Sequence, residues 1–329
     1  MDVMKYTVGS LFAGIGGICL GFKQSGSKIL WANEYNQKAC ETYALNFPEH
    51  SLYCDDIHNI QNPKELGSVD IITSGFPCQA FSVAGYRKGF EDPRGNLFFE
   101  TARFINEIKP KAFLLENVKN LRSHDGGNTI KIIEDVITNE LGYSFTSFVL
   151  NSKKYGNIPQ TRERIYIVGF RDESEGDDIC TRNFKVPDEI ELTKTIRDLI
   201  DKEKQEDRYY YNKEHRYYPL LDEAMKSDKT VYQWRRHYVR ENKSNVCPTL
   251  TANMGTGGHN VPLITDDYGL RKLTPKECTR FQGFPEDFKF SENMANSHCY
   301  KQAGNSVVVP VIKRIADEMT RVLDIKYGK

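Results

Sequence analysis

The chain carries no net charge, no Cys-x-x-Cys pair, no long apolar run and no internal repeat, and each absence removes a class of protein. Lys plus Arg equals Asp plus Glu, 45 each, so a polyanionic partner has to be met by local charge rather than by an overall basic surface. No run reaches the roughly 18 apolar residues of a membrane helix. The apolar stretch from Val8 to Phe22 is broken by Gly9, Ser10, Gly14, Gly16 and Gly17 and is followed by no small-residue cleavage pattern. No membrane role is expected, and the cytoplasm is the default compartment. The eight cysteines stand at 19, 40, 54, 78, 180, 247, 278 and 299. Their spacing suits neither a disulfide framework nor a metal cluster, so each is expected to be a small buried apolar residue unless its surroundings say otherwise.

What is present reads as a globular α/β chain. With 329 residues and a hydrophobic fraction of 39% it can bury a large core. Short apolar, β-rich runs alternate with helix-period segments: "TVGSLFA" with "GICLGFKQSG", "KILWANE" with "NQKACETYALNF", "VDIITSG" with "NLFFETARFINEI", "AFLLENV" with "TIKIIEDVITNEL". That alternation predicts a doubly wound, mostly parallel sheet covered on both faces. "SFTSFVLN" and "RIYIVGF" read as an antiparallel pair at its edge. Beyond Phe170 the periodicity fades, and residues 186 to 270 are expected to form a smaller, irregular second domain. The amphipathic segment "NSVVVPVIKRIADEMTRVLD" then returns to complete the first.

"LFAGIGG", residues 11 to 17, lies between the first strand and the first helix, where glycines let a ligand approach the backbone. It has no Gly-Lys-Ser/Thr, and Cys19 occupies the position at which a dinucleotide fingerprint needs its third glycine. Glu34, 20 residues after Gly14 (34 minus 14), ends the second strand, where a carboxylate can accept from ribose hydroxyls. A nucleoside cofactor without a pyrophosphate, such as S-adenosylmethionine, fits better than NAD, although a turn needed only for strand-helix packing would use the same glycines. Asp56 and Ile57, after the third strand, are placed to meet an adenine, and equally to form a solvated turn.

Cys78, in "SGFPCQAFSVAG", follows the apolar run ending at Ile72 and so falls at the carboxyl edge of the sheet, where ligands bind. A thiol there needs positive charge or backbone donors to act as a nucleophile, and alone it reads more readily as structural. The next strand ends in "LLENV" and brings Glu116 to the same edge. A thiol beside a carboxylic acid does not match a cysteine protease or a zinc deaminase. The pair suits conjugate addition to an electron-poor ring, with the thiolate adding to carbon while the acid protonates a ring nitrogen.

The ordered blocks "SLFAGIGGICLGF", "NE" at 33 and 34, "DI" at 56 and 57, "GFPCQAFSVAG", "RGNLFF", "ENV", "QTRERIYIVGF", "RKLTPKECTRFQGFP" and "GNSVVVPV" resemble the DNA (cytosine-5) methyltransferases of the compact bacterial restriction-modification type. The likeness covers residues 6 to about 170 and about 271 to 316. It implies a Rossmann-like methyltransferase fold, with a catalytic and cofactor-binding domain over 1–185 and 303–329, a target-recognition domain over 186–270, and a hinge segment over 271–302.

By this resemblance Cys78 attacks carbon 6 of a flipped-out cytosine in duplex DNA, Glu116 protonates or hydrogen-bonds N3, and Arg162 and Arg164 surround the base and its phosphate. S-adenosyl-L-methionine is held by Phe12 on the adenine, by Gly14, Ile15, Gly16 and Gly17 along the methionine part, and by Glu34 on the ribose. Asp56, Ile57 and Leu97 complete the adenine side, and Asn305 and Val307 close the pocket. Ser10 stands where many members carry aspartate. The stretch "SVAGYRKGFEDPRG", residues 82 to 95, resembles the mobile catalytic loop, with Ser82, Arg87, Lys88 and Arg94 toward DNA; a plain solvated loop reads the same.

In the second domain "VYQWRRHYVRENKSN" sets Arg235, Arg236, Arg240 and Lys243 against a single acid, Glu241, with Tyr232, Trp234 and Tyr238 interleaved. Such a stretch fits phosphate and base contacts or an exposed charged face. Thr249 and Leu250 form the Thr-Leu pair that the family tends to keep there, and the run loosely resembles recognition regions for sites beginning CC. The implied partners are double-stranded DNA, which would associate the protein with the nucleoid, and a companion restriction endonuclease. A monomer without a metal is expected. Methylation of tRNA cytosine is the alternative activity, although that branch carries Cys-Phe-Thr where this chain has Cys78-Gln79-Ala80. A DNA-binding regulator without activity would have no need of Cys78, Glu116 and the glycine turn together.

Overall fold

A computed structural model describes residues 6–77, 97–174, 176–235, 237–256 and 260–328. The chain divides into two compact units, one of residues 1–150, 163–188 and 311–329, the other of residues 151–162 and 189–310. The boundaries expected from sequence, at 186, 271 and 303, compare with breaks at 150/151, 162/163, 188/189 and 310/311.

The first unit is built on a seven-stranded sheet of β1 (Thr7–Leu11), β2 (Lys28–Asn33), β3 (Ser51–Tyr53), β4 (Ile71–Ser74), β5 (Ala112–Val118), β6 (Tyr143–Asn151) and β8 (Glu163–Arg171), in the order β3-β2-β1-β4-β5-β8-β6. Strands β1 to β5 pair in parallel. Strand β8 returns antiparallel to β5 and separates it from β6. All four residues of β4 and the first six of β5 are buried, as expected for central strands covered on both faces.

On one face the helix α3 (Leu97–Ile108) contributes Phe98, Phe104 and Ile105 to a core with Leu11, Trp31, Ile72 and Phe113. The terminal helix α7 (Val309–Tyr327) buries Ile312, Ile315, Ala316, Met319, Val322 and Leu323, the three-and-four spacing of an amphipathic stripe. It packs against α1 (Gly17–Gln24) so closely that a Cβ on Gly21 would stand 2.5 Å from Ile312 Cγ2.

The chain leaves β1 toward β2 and β3 on one side and resumes at β4 and β5 on the other, so the sheet's switch point lies between β1 and β4. Ligands of doubly wound sheets bind outside the strand carboxyl ends at this point. Helix α2 (Gln37–Asn46), capped by Asn36 Oδ1 accepting from Ala39 N at 3.1 Å, starts at this edge just after β2. Strand β3 ends there too, and Cys40 in α2 is joined to Cys54 by a disulfide. This corrects the expectation that no cysteines pair: the partners meet because two separate elements end on one sheet edge, which spacing alone does not reveal. Among the described residues Cys19, Cys180, Cys247, Cys278 and Cys299 are buried free thiols. Burial pushes Cys180 and Cys299 up to about 11 and the other three upward as well, so these five are inert packing residues.

The second unit contains a four-stranded sheet, β10 (Tyr238–Glu241), β9 (Tyr232–Arg235), β12 (Leu263–Asp266) and β13 (Gly269–Lys272), in that order and antiparallel throughout. Each strand has four residues, too few for alternation to stand out from the loops around it. A parallel pair joins β7 (Gln160–Thr161) to β11 (Cys247–Pro248). Its buried electrostatic anchor is Arg271, fully enclosed, which donates from Nη1 and Nη2 to the two carboxylate oxygens of Glu277 at 2.8 Å each, and from Nε to Asp266 at 2.5 Å. Glu277 also closes a capping box with Thr274 at the start of the helix α5 (Pro275–Arg280).

Candidate functional site

In the first unit the glycine turn after β1 takes a left-handed path, with φ of 53° at Phe12, 56° at Gly14 and 89° at Gly16. Phe12 is half-buried against the core. A Cβ built on Gly14 would meet nothing within 4 Å, so the turn lines open space. Glu34, buried just beyond β2, fixes this cradle: its Oε2 accepts from Gly14 N at 2.9 Å and its Oε1 from Asn36 N at 2.8 Å. A carboxylate offers about four acceptor sites, so two such bonds leave capacity for hydroxyl donors. Ile15 and Gly17 are buried beside it. Asp56 is exposed and caps a short turn by accepting from His58 N at 3.0 Å; that bond and the nearby imidazole hold its carboxyl below the usual range. Ile57 is buried and Leu97, the first residue of α3, is half-buried. Among the described residues the open glycine cradle carries a buried acid able to accept from hydroxyl groups and no lysine, an arrangement suited to a nucleoside-bearing ligand rather than a polyphosphate.

The loop after β4 and the end of β5 converge on the same cradle. A Cβ on Gly75 would lie 3.7 Å from Glu116 Oε2 and 4.0 Å from the Phe12 carbonyl oxygen. Asn117 Nδ2 donates to the Phe76 carbonyl at 2.8 Å, tying the "ENV" motif to the segment that runs into Cys78. Asn117 belongs to the "ENV" block and is buried beside Glu116. Glu116 is buried, and Arg164 Nε stands 3.1 Å from its Oε1. Cys78, Ser82, Arg87, Lys88 and Arg94, like Arg236, lie outside the described residues.

The "QTRER" motif is divided between the units. In the second, Arg162 is buried and donates from Nη1 to the Leu250 carbonyl at 2.7 Å and from Nη2 to the carbonyls of Gly304, at 3.3 Å, and Ser306. Gln160, not singled out by sequence, accepts at Oε1 from Leu250 N at 3.0 Å and donates from Nε2 to the Phe281 carbonyl at 2.6 Å. Thr249 Oγ1 donates to the Thr161 carbonyl. These bonds lock the Thr-Leu pair onto β7. Asn305 ends the helix α6 (Asn296–Asn305) and is exposed, while Val307 is buried; both belong to the second unit. Arg235 and Arg240 are exposed on β9 and β10 and line a polar groove with Gln233, Asn242, Thr249 and Asn253.

The architecture defines the class first. At the level of the fold, the chain is similar to the crystal structure of a Spodoptera frugiperda DNMT2 variant, with a TM-score of 0.72 at 22% identity over 96% of this chain and 99% of that one. It is similar also to S. pombe Dnmt2, at 0.71 and 21% over 97% and 99%. The model of the C-5 cytosine-specific DNA methylase family matches residues 6–321, and the chain belongs to that family. It is similar to the type II methyltransferase M.Bsp6I of Bacillus sp. (strain RFL6), at 56% identity over 95% of this chain and 98% of that protein. The type II methyltransferase M.HhaI of Haemophilus parahaemolyticus is 38% identical over 96% and 94%. The activity that follows is cytosine-5 methylation of DNA.

Proposed function

We propose that the chain methylates carbon 5 of one cytosine within a short duplex sequence, using S-adenosyl-L-methionine, as the protective methyltransferase beside a restriction endonuclease. Among the described residues no helix is long and apolar enough to cross a membrane, and the proposed setting is a cytoplasmic monomer bound to nucleoid DNA. Residues 1–185 and 303–329 carry catalysis and cofactor, 186–270 read the target, and 271–302 connect them.

The observation that carries the reading is the Asn117 to Phe76 hydrogen bond beside Glu116. It ties the end of β5, and the acid on it, to the segment that runs directly into Cys78. The Cys78 thiolate adds to carbon 6 of the flipped cytosine while Glu116 donates a proton to N3, which places electron density on carbon 5. Phe12, Gly14, Ile15, Gly16, Gly17, Glu34, Asp56, Ile57, Leu97, Asn305 and Val307 would hold S-adenosyl-L-methionine, which would supply an electrophilic methyl group to carbon 5 and leave as the neutral thioether. Loss of the carbon-5 proton to a base, expulsion of the Cys78 thiolate and return of the N3 proton to Glu116 then restore the ring. Arg164, with its Nε 3.1 Å from Glu116 Oε1, holds that carboxyl group in place beside the base and its phosphate. Arg162 holds the Leu250 and Ser306 segments in place. Ser82, Arg87, Lys88, Arg94, Arg235, Arg236, Arg240, Thr249 and Leu250 meet the DNA.

Bisulfite sequencing of DNA from a methylation-free host expressing the chain is expected to show one short methylated motif. Cys78→Ala should abolish that methylation while leaving duplex binding largely intact. Retained methylation in Cys78→Ala, or methylation of tRNA but not duplex DNA, overturns the reading.

A further inference from the structure

The polar groove of the second unit contains a charge arrangement that its own residues leave unanswered. In the antiparallel pair of β9 and β10, Arg240 lies opposite Gln233 and Tyr238 opposite Arg235. Side chains alternate along a strand, so Gln233, Arg235, Tyr238 and Arg240 share one face. Tyr232, Trp234, Val239 and Glu241 share the other, where Tyr232, Trp234 and Val239 pack into an apolar cluster. The sheet thus sets Glu241 on the face opposite both guanidinium groups.

On the groove face the two arginines converge on a single acceptor: Arg235 Nη2 donates to Gln233 Oε1 at 3.0 Å and Arg240 Nη2 donates to the same oxygen at 2.5 Å. Among the described residues neither arginine has an ion-pair partner, and no Asp or Glu lines the groove. Two like charges held together by one amide oxygen call for an electronegative group from outside. Each guanidinium has five N–H donors in a rigid fork, and one bond to Gln233 leaves most of the fork available.

We propose, on the reading that the substrate is duplex DNA, that this cluster recognises a guanine of the target sequence through its major-groove edge. Arg240 donates to O6 and N7, and Gln233 is the positioning residue that sets the plane of its fork. Guanine presents two acceptors side by side in the major groove, whereas adenine pairs an acceptor with a donor and thymine offers a single acceptor beside a methyl group. The amide of Asn253 and the hydroxyl of Thr251 in the same groove can both donate and accept, which suits the mixed edges of neighbouring bases better than phosphates.

The test begins with the motif that the wild-type chain methylates. Duplexes carrying it are prepared with 7-deazaguanine, which lacks N7, at one guanine at a time, and binding by the full chain is measured. One position is expected to lose about tenfold in affinity, the lower end of what a good bidentate pair contributes to discrimination. Arg240→Lys keeps the charge but not the fork; it should lose this sensitivity, and Gln233→Ala should weaken it. No position sensitive to N7 removal, or full sensitivity retained in Arg240→Lys, overturns the proposal. So does a uniform loss of affinity in Arg240→Gln across all sequences with a smaller salt dependence, the signature of a phosphate contact. Absence of any methylated motif in the wild type overturns instead the parent reading of the substrate, and the two failures are separable.

Discussion

The Nε of Arg164 stands 3.1 Å from Oε1 of Glu116, a pairing made by the antiparallel return of β8 along β5. In that register Val118 lies opposite Arg164 and Glu116 opposite Tyr166, so the two side chains meet diagonally on one face of the sheet. Glu116 Oε1 is buried without a hydrogen bond among the described residues, so Arg164 approaches it without an aligned hydrogen bond and leaves the carboxyl group able to give and take a proton. Glu116→Gln keeps the volume and removes the transferable proton. It should lower methyl transfer by about 10²- to 10⁴-fold, the usual contribution of a positioned acid, with little change in melting temperature. Arg164→Ala removes the cation that stands beside this buried carboxyl group among the described residues and should lower both rate and melting temperature. Equal rates for wild type and Glu116→Gln in a labelled-methyl assay would remove Glu116 from the chemistry.

Gly14 separates ligand binding from stability. At φ 56° a side chain costs about 1 kcal/mol in backbone conformation, and the added methyl group meets no protein atom within 4 Å. Gly14→Ala should therefore fold with a modest loss of stability while its methyl group intrudes on the space proposed for the cofactor. Calorimetry is expected to show S-adenosyl-L-methionine binding weakened by tenfold or more. Unchanged affinity would place the ligand elsewhere.

Arg271 and Glu277 test the second unit. Both are fully buried, and Glu277 accepts from Arg271, from Thr274 N at 2.7 Å and from Asp201 N at 2.8 Å. Breaking a buried pair by removing one partner typically costs about 3–5 kcal/mol. Glu277→Ala should lose stability on that scale in urea unfolding, and target recognition should fail before cofactor binding does. A loss below about 1 kcal/mol would mean that the pair behaves as an exposed one.

The disulfide is open to direct counting. Among the described residues Cys40 and Cys54 are paired and five cysteines are free, so with eight in the sequence eight minus two, or six, should react with a thiol reagent in the denatured, unreduced chain, and all eight after reduction. Eight reactive thiols before reduction would show that Cys40 and Cys54 are not joined.

Features encoded locally were legible before any coordinates. The alternation of apolar runs, the glycines after β1 and the residues that end β2 and β5 place Glu34 and Glu116 at one edge, because a strand followed by a turn and a helix is a short-range pattern and parallel sheets direct every such turn to the same side. Tertiary structure decided the rest. It gave Arg162 to the carbonyls of Leu250, Gly304 and Ser306, joined Cys40 to Cys54, and set Arg235 and Arg240 on one oxygen of Gln233. These contacts depend on strand register and on segments up to 144 residues apart, and a local pattern of polar and apolar residues specifies neither.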